Sequence, residues 1–167
     1  FTVVVVFWSI AWTILINQDV SYGTALFCSR VGHATASVIA VTWLHFTAIF
    51  TGKFGQYKNL LLSLYGVVLV IVVFAFTPWF VPSVGPAVGF RYYTRPGPVF
   101  HVFFVMYCIV VPLGFVPLVQ KITGSVGEER VQFLGFFWAT LAGFAGGSLV
   151  LLPVYGIMLP QYNLFLM

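Results

Sequence analysis

Long apolar runs alternate with short polar breaks along this chain, and the runs have the length of membrane spans. They cover roughly 1–16, 25–50, 60–80, 98–120 and 131–152. Each is a continuous apolar stretch near the ~20 residues that a helix needs to cross the hydrocarbon core. A transmembrane β-strand would instead alternate over about 10 residues. The pattern therefore predicts an all-α, polytopic transmembrane helix bundle of about five spans, forming a single domain over 1–167. The breaks carry turn and interface chemistry: Asn17, Gln18 and Asp19; then Lys53, Gly55, Gln56, Lys58 and Asn59. The stretch 81–97, with Pro82, Pro86, Gly89, Arg91 and Arg95, reads as the longest loop. Pro98 suits a first helical turn, and Pro112 and Pro117 inside the fourth run predict a kink. The tail 153–167 reads as a loop leading towards a further span.

Composition fits this reading. Charged residues make up 6% of the chain and hydrophobic ones 61%, against about 25% charged in an average soluble domain. Mean hydropathy is +1.07. The net charge of +4 comes without a basic run, so nucleic acid is not an expected partner and the lipid bilayer is. The chain opens at Phe1 inside an apolar run, which predicts a piece of a larger protein. Cys28 and Cys108 read as small buried hydrophobes. Lys53, Lys58, Lys121 and Arg130 fall in one set of alternate loops. Arg91 and Arg95 fall in the other, with Arg30 near the same side. The bias weakly favours a cytoplasmic position for the first set.

The charges also limit the chemistry. No Asp or Glu lies within a run, which argues against a proton relay, and no Lys lies mid-run, which argues against a retinal Schiff base. Motifs for hydrolase, metalloprotease or dithiol chemistry are missing from the sequence, so no catalytic residue and no metal site are expected. Arg30 and His33 share a face of the second run, and Arg91, Arg95 and His101 belong to the same membrane side. These five are the candidate lining of a small basic pocket for an anionic or polar ligand. The plainer alternative is that Arg30 snorkels to the interface or pairs with Asp19. Gly135, Ala139, Gly143 and Gly147 recur every four residues and predict a close helix–helix approach, within the chain or in a homodimer. No cofactor is expected. Haem or chlorin ligation by His33, His45 or His101 stays open as an alternative, although the depths of His33 and His101 match poorly.

Several stretches resemble the seven-helix membrane sensor region at the amino end of some bacterial histidine kinases. They are Trp43-Leu44-His45-Phe46-Thr47 with Phe50-Thr51-Gly52-Lys53, Glu129-Arg130-Val131-Gln132, and Leu152-Pro153-Val154-Tyr155-Gly156, with Trp8 and Arg30 in support. The resemblance implies that the five runs are that region's second to sixth helices. It further implies that the module sits in the cell membrane, senses an unknown small ligand or the membrane state, and drives a kinase or related output domain without being catalytic itself. The competing expectation is a structural or accessory subunit of a large membrane complex, binding pigment or lipid. A small transporter or channel is weaker still, for want of buried acids.

Overall fold

A computed structural model describes residues 1–17, 19–87 and 89–157. Five helices account for most of it: α1 (Thr2–Ile16), α2 (Tyr22–Phe50), α3 (Phe54–Phe74), α4 (Pro98–Gly124) and α5 (Gly127–Ser148). Between α3 and α4 lies an antiparallel hairpin of β1 (Ser83–Ala87) and β2 (Phe90–Arg95). Four helices, α2, α3, α4 and α5 continued to Tyr155, are long and apolar enough to cross a membrane. The fold is thus an all-α membrane helix bundle. The 15 residues of α1 rise only about 22 Å, less than the ~30 Å core.

The helix ends follow from local chemistry. Ser21 caps α2 by accepting from the Thr24 amide at 3.2 Å, supplying one of the four partners that a helix start lacks. At the other end Gly52 takes φ +72. Its amide donates to the Ile49 carbonyl at 2.9 Å and that of Lys53 to the Ala48 carbonyl at 2.7 Å, the two bonds of a Schellman stop. The same device recurs after the 3-10 turn Pro153–Tyr155. There Gly156 has φ +74, its amide bonds to Pro153 and that of Ile157 to Leu152, both at 3.1 Å. Two of the stretches that carry the family resemblance, Thr51-Gly52-Lys53 and Leu152-Pro153-x-x-Gly156, are therefore helix stops.

Several boundaries differ from the hydropathy reading. Gly55 to Asn59 belong to the first turns of α3, because a helix can begin in the polar interface before its apolar run starts. The stretch 81–97 is mostly hairpin: Val84 and its cross-strand partner Thr94 are buried, as is Tyr93 beside them, and Pro86 falls at an irregularity between Gly85 and Ala87, where a missing donor is tolerated. α4 runs on through Pro112 and Pro117 to Gly124. The break expected at 121–130 shrinks to Ser125 and Val126. The tail beyond Ile157, with Pro160, lies outside the described residues.

The bundle is built around α2, which packs on α1, α3, α4 and the hairpin. Its buried face is mostly small: Ala25, Ser29, Gly32, Ala36, Ser37, Ala40 and Ala48. Rings from the neighbours and from α2 itself fill the space those residues leave. Trp43 of α2 is fully buried against Gly114 of α4, where a Cβ would stand 2.3 Å from its ring, and its Nε1 donates to the Val111 carbonyl at 3.3 Å. Trp12 of α1 lies over Gly32, where a Cβ would meet Nε1 at 3.4 Å. Close helix approach over small residues is the expected means of association in lipid, where burial gains little.

Candidate functional site

A cavity of about 270 Å³ opens between α1, α2, α4 and α5. Trp8 and Trp12 of α1, His33 and Ile39 of α2, and Tyr107 of α4 form its walls, and Thr140, Gly143, Phe144 and Gly147 of α5 form its edge. Among the described residues no charged side chain lines it. At Gly143 a Cβ would meet nothing within 4 Å, while at Gly147 it would meet the Trp8 ring at 3.7 Å. The α5 side of the cavity is therefore partly open. A shallower apolar groove lies between α4 and α5, lined by Pro112, Val116, Phe137 and Leu141 among others.

The first cavity is the candidate site because two polar groups on its wall lack partners. His33 is 1% exposed, wedged edge-on against Phe100, Phe103 and Trp12, with ring centroids at 4.8, 6.0 and 5.5 Å. Its Nδ1 lies 2.8 Å from the Ser29 carbonyl. A carbonyl only accepts, so Nδ1 carries the proton and Nε2 of the neutral ring is an acceptor. That Nε2, and the Nε1–H donor of Trp12, are buried without a hydrogen-bond partner. A buried orphan costs about 1–3 kcal/mol, so two beside one cavity mark a place where a ligand's polar group would be welcome. The other wall hydroxyls are engaged: Tyr107 with Ser148 at 3.3 Å, Thr140 with the Phe136 carbonyl at 2.7 Å.

The hairpin closes the end of the bundle next to this cavity. Thr94 and Ser29 share a buried hydroxyl bond of 2.7 Å. The Tyr93 ring packs on Trp12 at 5.8 Å, and its hydroxyl donates to the Val150 carbonyl just past α5. Arg30 anchors the approach to the hairpin. Its Nη1 donates to the Phe76 carbonyl at 2.9 Å, and its Nε and Nη2 converge on the Val81 carbonyl at 3.1 and 2.8 Å. A guanidinium fork thus satisfies two carbonyls of the segment between α3 and β1.

The five sequence-predicted residues do not all line this cavity. His33 alone of them lines the cavity. Arg30 holds backbone carbonyls, and the polar partners found for it do not include Asp19. Arg91 lies over the Tyr92 ring at 5.2 Å, Arg95 bonds the Pro86 carbonyl at 3.1 Å, and His101 bonds the Tyr155 hydroxyl at 2.9 Å. In the structure these side chains are held by backbone and aromatic partners close at hand. Of the other expected residues, Gly143 and Gly147 edge the cavity, Gly135 and Ala139 are exposed, and a Cβ at Gly135 would meet nothing within 4 Å. His45 bonds Tyr65 at 2.8 Å and stacks on Phe54. Cys28 is buried and Cys108 exposed. Trp12 and Tyr107 were missed by the sequence reading. The only trace of either was a ring in an apolar run, too common to single out.

Comparison with known proteins gives one match that spans the chain. The family model described as the N-terminal 7TM region of histidine kinase matches residues 1–166. No curated protein and no solved structure matches.

Proposed function

The chain belongs to the family of N-terminal seven-transmembrane regions of histidine kinases, and from that premise we propose that it is the ligand-sensing part of a larger signalling protein and carries no phosphotransfer chemistry itself. In this reading the hairpin faces outward from the cell membrane, and Lys53, Lys58, Lys121 and Arg130 face the cytoplasm. The observation that carries the reading is the cavity shared by α1, α2, α4 and α5, with only α5 loosely held. A ligand shifts an equilibrium only by binding two packings differently. A site whose fourth wall can move against three fixed ones provides such a difference. The movement of α5 would pass to the chain that follows it and so to the output domain.

The test is made in the full-length protein in nanodiscs, reading autophosphorylation. Gly143→Leu projects a side chain at the cavity edge where nothing opposes its Cβ, so folding is spared while the space a ligand would take is filled. Autophosphorylation should change about fivefold, the low end of ordinary coupling energies. Gly146→Leu, on the same helix and also unopposed but off the cavity, serves as the control. Equal, wild-type output from both variants would sink the sensor reading.

A further inference from the structure

We propose that the cavity between α1, α2, α4 and α5 binds a neutral, mostly apolar molecule carrying a hydroxyl group, with that hydroxyl bridging His33 and Trp12. The idea rests on the sensor reading for its consequence in signalling, though not for the binding itself.

The chemistry of the wall selects the ligand class. His33 Nε2 is an acceptor without a donor, and Trp12 Nε1 is a donor without an acceptor. A hydroxyl is the smallest group that donates and accepts at once. The two rings are neighbours, with centroids 5.5 Å apart, and in the proposed pose one oxygen bonds to a nitrogen of each. A carboxylate or phosphate finds no cation here, because among the described residues no charged side chain lines the cavity. A cation finds no acid. The remaining surface is Trp8, Phe144, Ile39 and similar apolar side chains, so the body of the ligand is apolar. Size narrows it further: a dry cavity of about 150 Å³ holds benzene, so 270 Å³ suits a molecule of roughly eight to twelve heavy atoms. Such a molecule partitions into lipid, and the open side at Gly143 gives it a lateral route from the bilayer.

The experiment uses the full-length protein in nanodiscs with two photoreactive probes: a diazirine-bearing 1-octanol and the diazirine-bearing octane of the same length. They are compared at equal membrane concentration, with labelled residues located by mass spectrometry. The alcohol should label cavity residues on α1 and α5 about fivefold more than the alkane, the increment expected from two ordinary hydrogen bonds partly offset by desolvation. Unlabelled 1-octanol should compete. His33→Phe should bring alcohol labelling down to the alkane level and leave alkane labelling unchanged. Should His33→Phe fail to insert, Trp12→Phe removes the donor and keeps a ring in place, and it should cut the preference at least by half. Equal labelling by both probes, labelling confined to the lipid-facing surface, or an alcohol preference that survives both variants would each overturn the proposal. If 1-octanol binds as described yet leaves autophosphorylation unchanged, the site stands and the sensor reading falls.

Discussion

Helices α2 and α5 are written in similar letters and live in different surroundings. Both mix rings with many small residues, and both are long and apolar enough to span a membrane. Yet 61% of the membrane-length stretch of α2 is buried, against 11% for α5. α2 meets α1, α3, α4 and the hairpin, whereas the main helical neighbour of α5 is α4. In α2 Gly32 lies under Trp12, and Trp43 itself reaches over to Gly114 of α4. In α5 the positions Gly135, Gly143 and Gly146 face open space. A small residue allows close approach, but a contact exists only where something large arrives to use the room. The bundle thus has a fixed centre and a lightly held flank, with the candidate cavity at the seam between them.

The sharpest way to break that comparison is to add one methyl group on each side of it. Gly114→Ala places a Cβ 2.3 Å from Cδ1 and Nε1 of the Trp43 ring, which is fully buried and bonded to Val111. The ring has nowhere to go, so the variant should lose about 3 kcal/mol, the upper range for overpacking. Gly143→Ala meets nothing and removes a poor helix former, so it should be neutral or gain up to about 1 kcal/mol. Thermal unfolding in detergent micelles, followed by circular dichroism, reads both. Equal melting temperatures would show that the centre is as loose as the flank.

Arg30 is the next largest. Arg30→Met keeps the stem and removes every bond to the Phe76 and Val81 carbonyls. Hydrogen bonds from a charged donor contribute about 1.5–3 kcal/mol, so the loss should be near 2 kcal/mol and should fall on the hairpin rather than on the helices. Amide exchange in β1 and β2 should accelerate while α2 stays protected. Arg30→Lys should recover only part of the loss, since an ammonium cannot present the fork that reaches both carbonyls. Uniform acceleration along the chain would mean that Arg30 supports the whole bundle.

How much of this was legible in the sequence depends on the range of the interaction. The helices were legible because span length is a local property of apolar runs. Helix stops were legible at Thr51-Gly52-Lys53 for the same reason. The hairpin was not, because what fixes it lies far off in sequence: Ser29 bonds Thr94, Arg30 bonds Val81, and Val150 accepts from Tyr93. Arg30 stands out in the sequence as the cation within a span, but its carbonyl partners lie far off in the chain, so the sequence offers only a ligand, the interface or Asp19 as what it faces. His33 stood out for its charge-bearing potential, whereas its Nδ1 turns to the Ser29 carbonyl and leaves Nε2 as an acceptor. The glycine spacing of α5 was plain to see. Whether anything covers it is a question of tertiary arrangement that spacing does not encode.

The smallest expected effect tests how lightly α5 is held at its start. Lys121 at the end of α4 lies 2.7 Å from Glu129 in the first turn of α5. It is the one ion pair among the described residues, and both side chains are substantially exposed, at 35% and 51%. Exposed pairs contribute about 0–1 kcal/mol and weaken with salt. Lys121→Gln and Glu129→Gln should therefore each lower stability by no more than about 0.5 kcal/mol. The difference from wild type should vanish in about 1 M salt, where the screening length is near 3 Å. The double variant isolates the pair, because Lys121 also lies 5.5 Å from the Phe133 ring, a contact that survives loss of the glutamate but not of the lysine. If the pair merely decorates the surface, the double-mutant coupling energy will be zero within error and the start of α5 will rest on Phe133 and its ring neighbours. A coupling well above 1 kcal/mol would instead mean that the ion pair is a principal tie of the flank, and the contrast between a fixed centre and a lightly held α5 would have to be redrawn at that end of the helix.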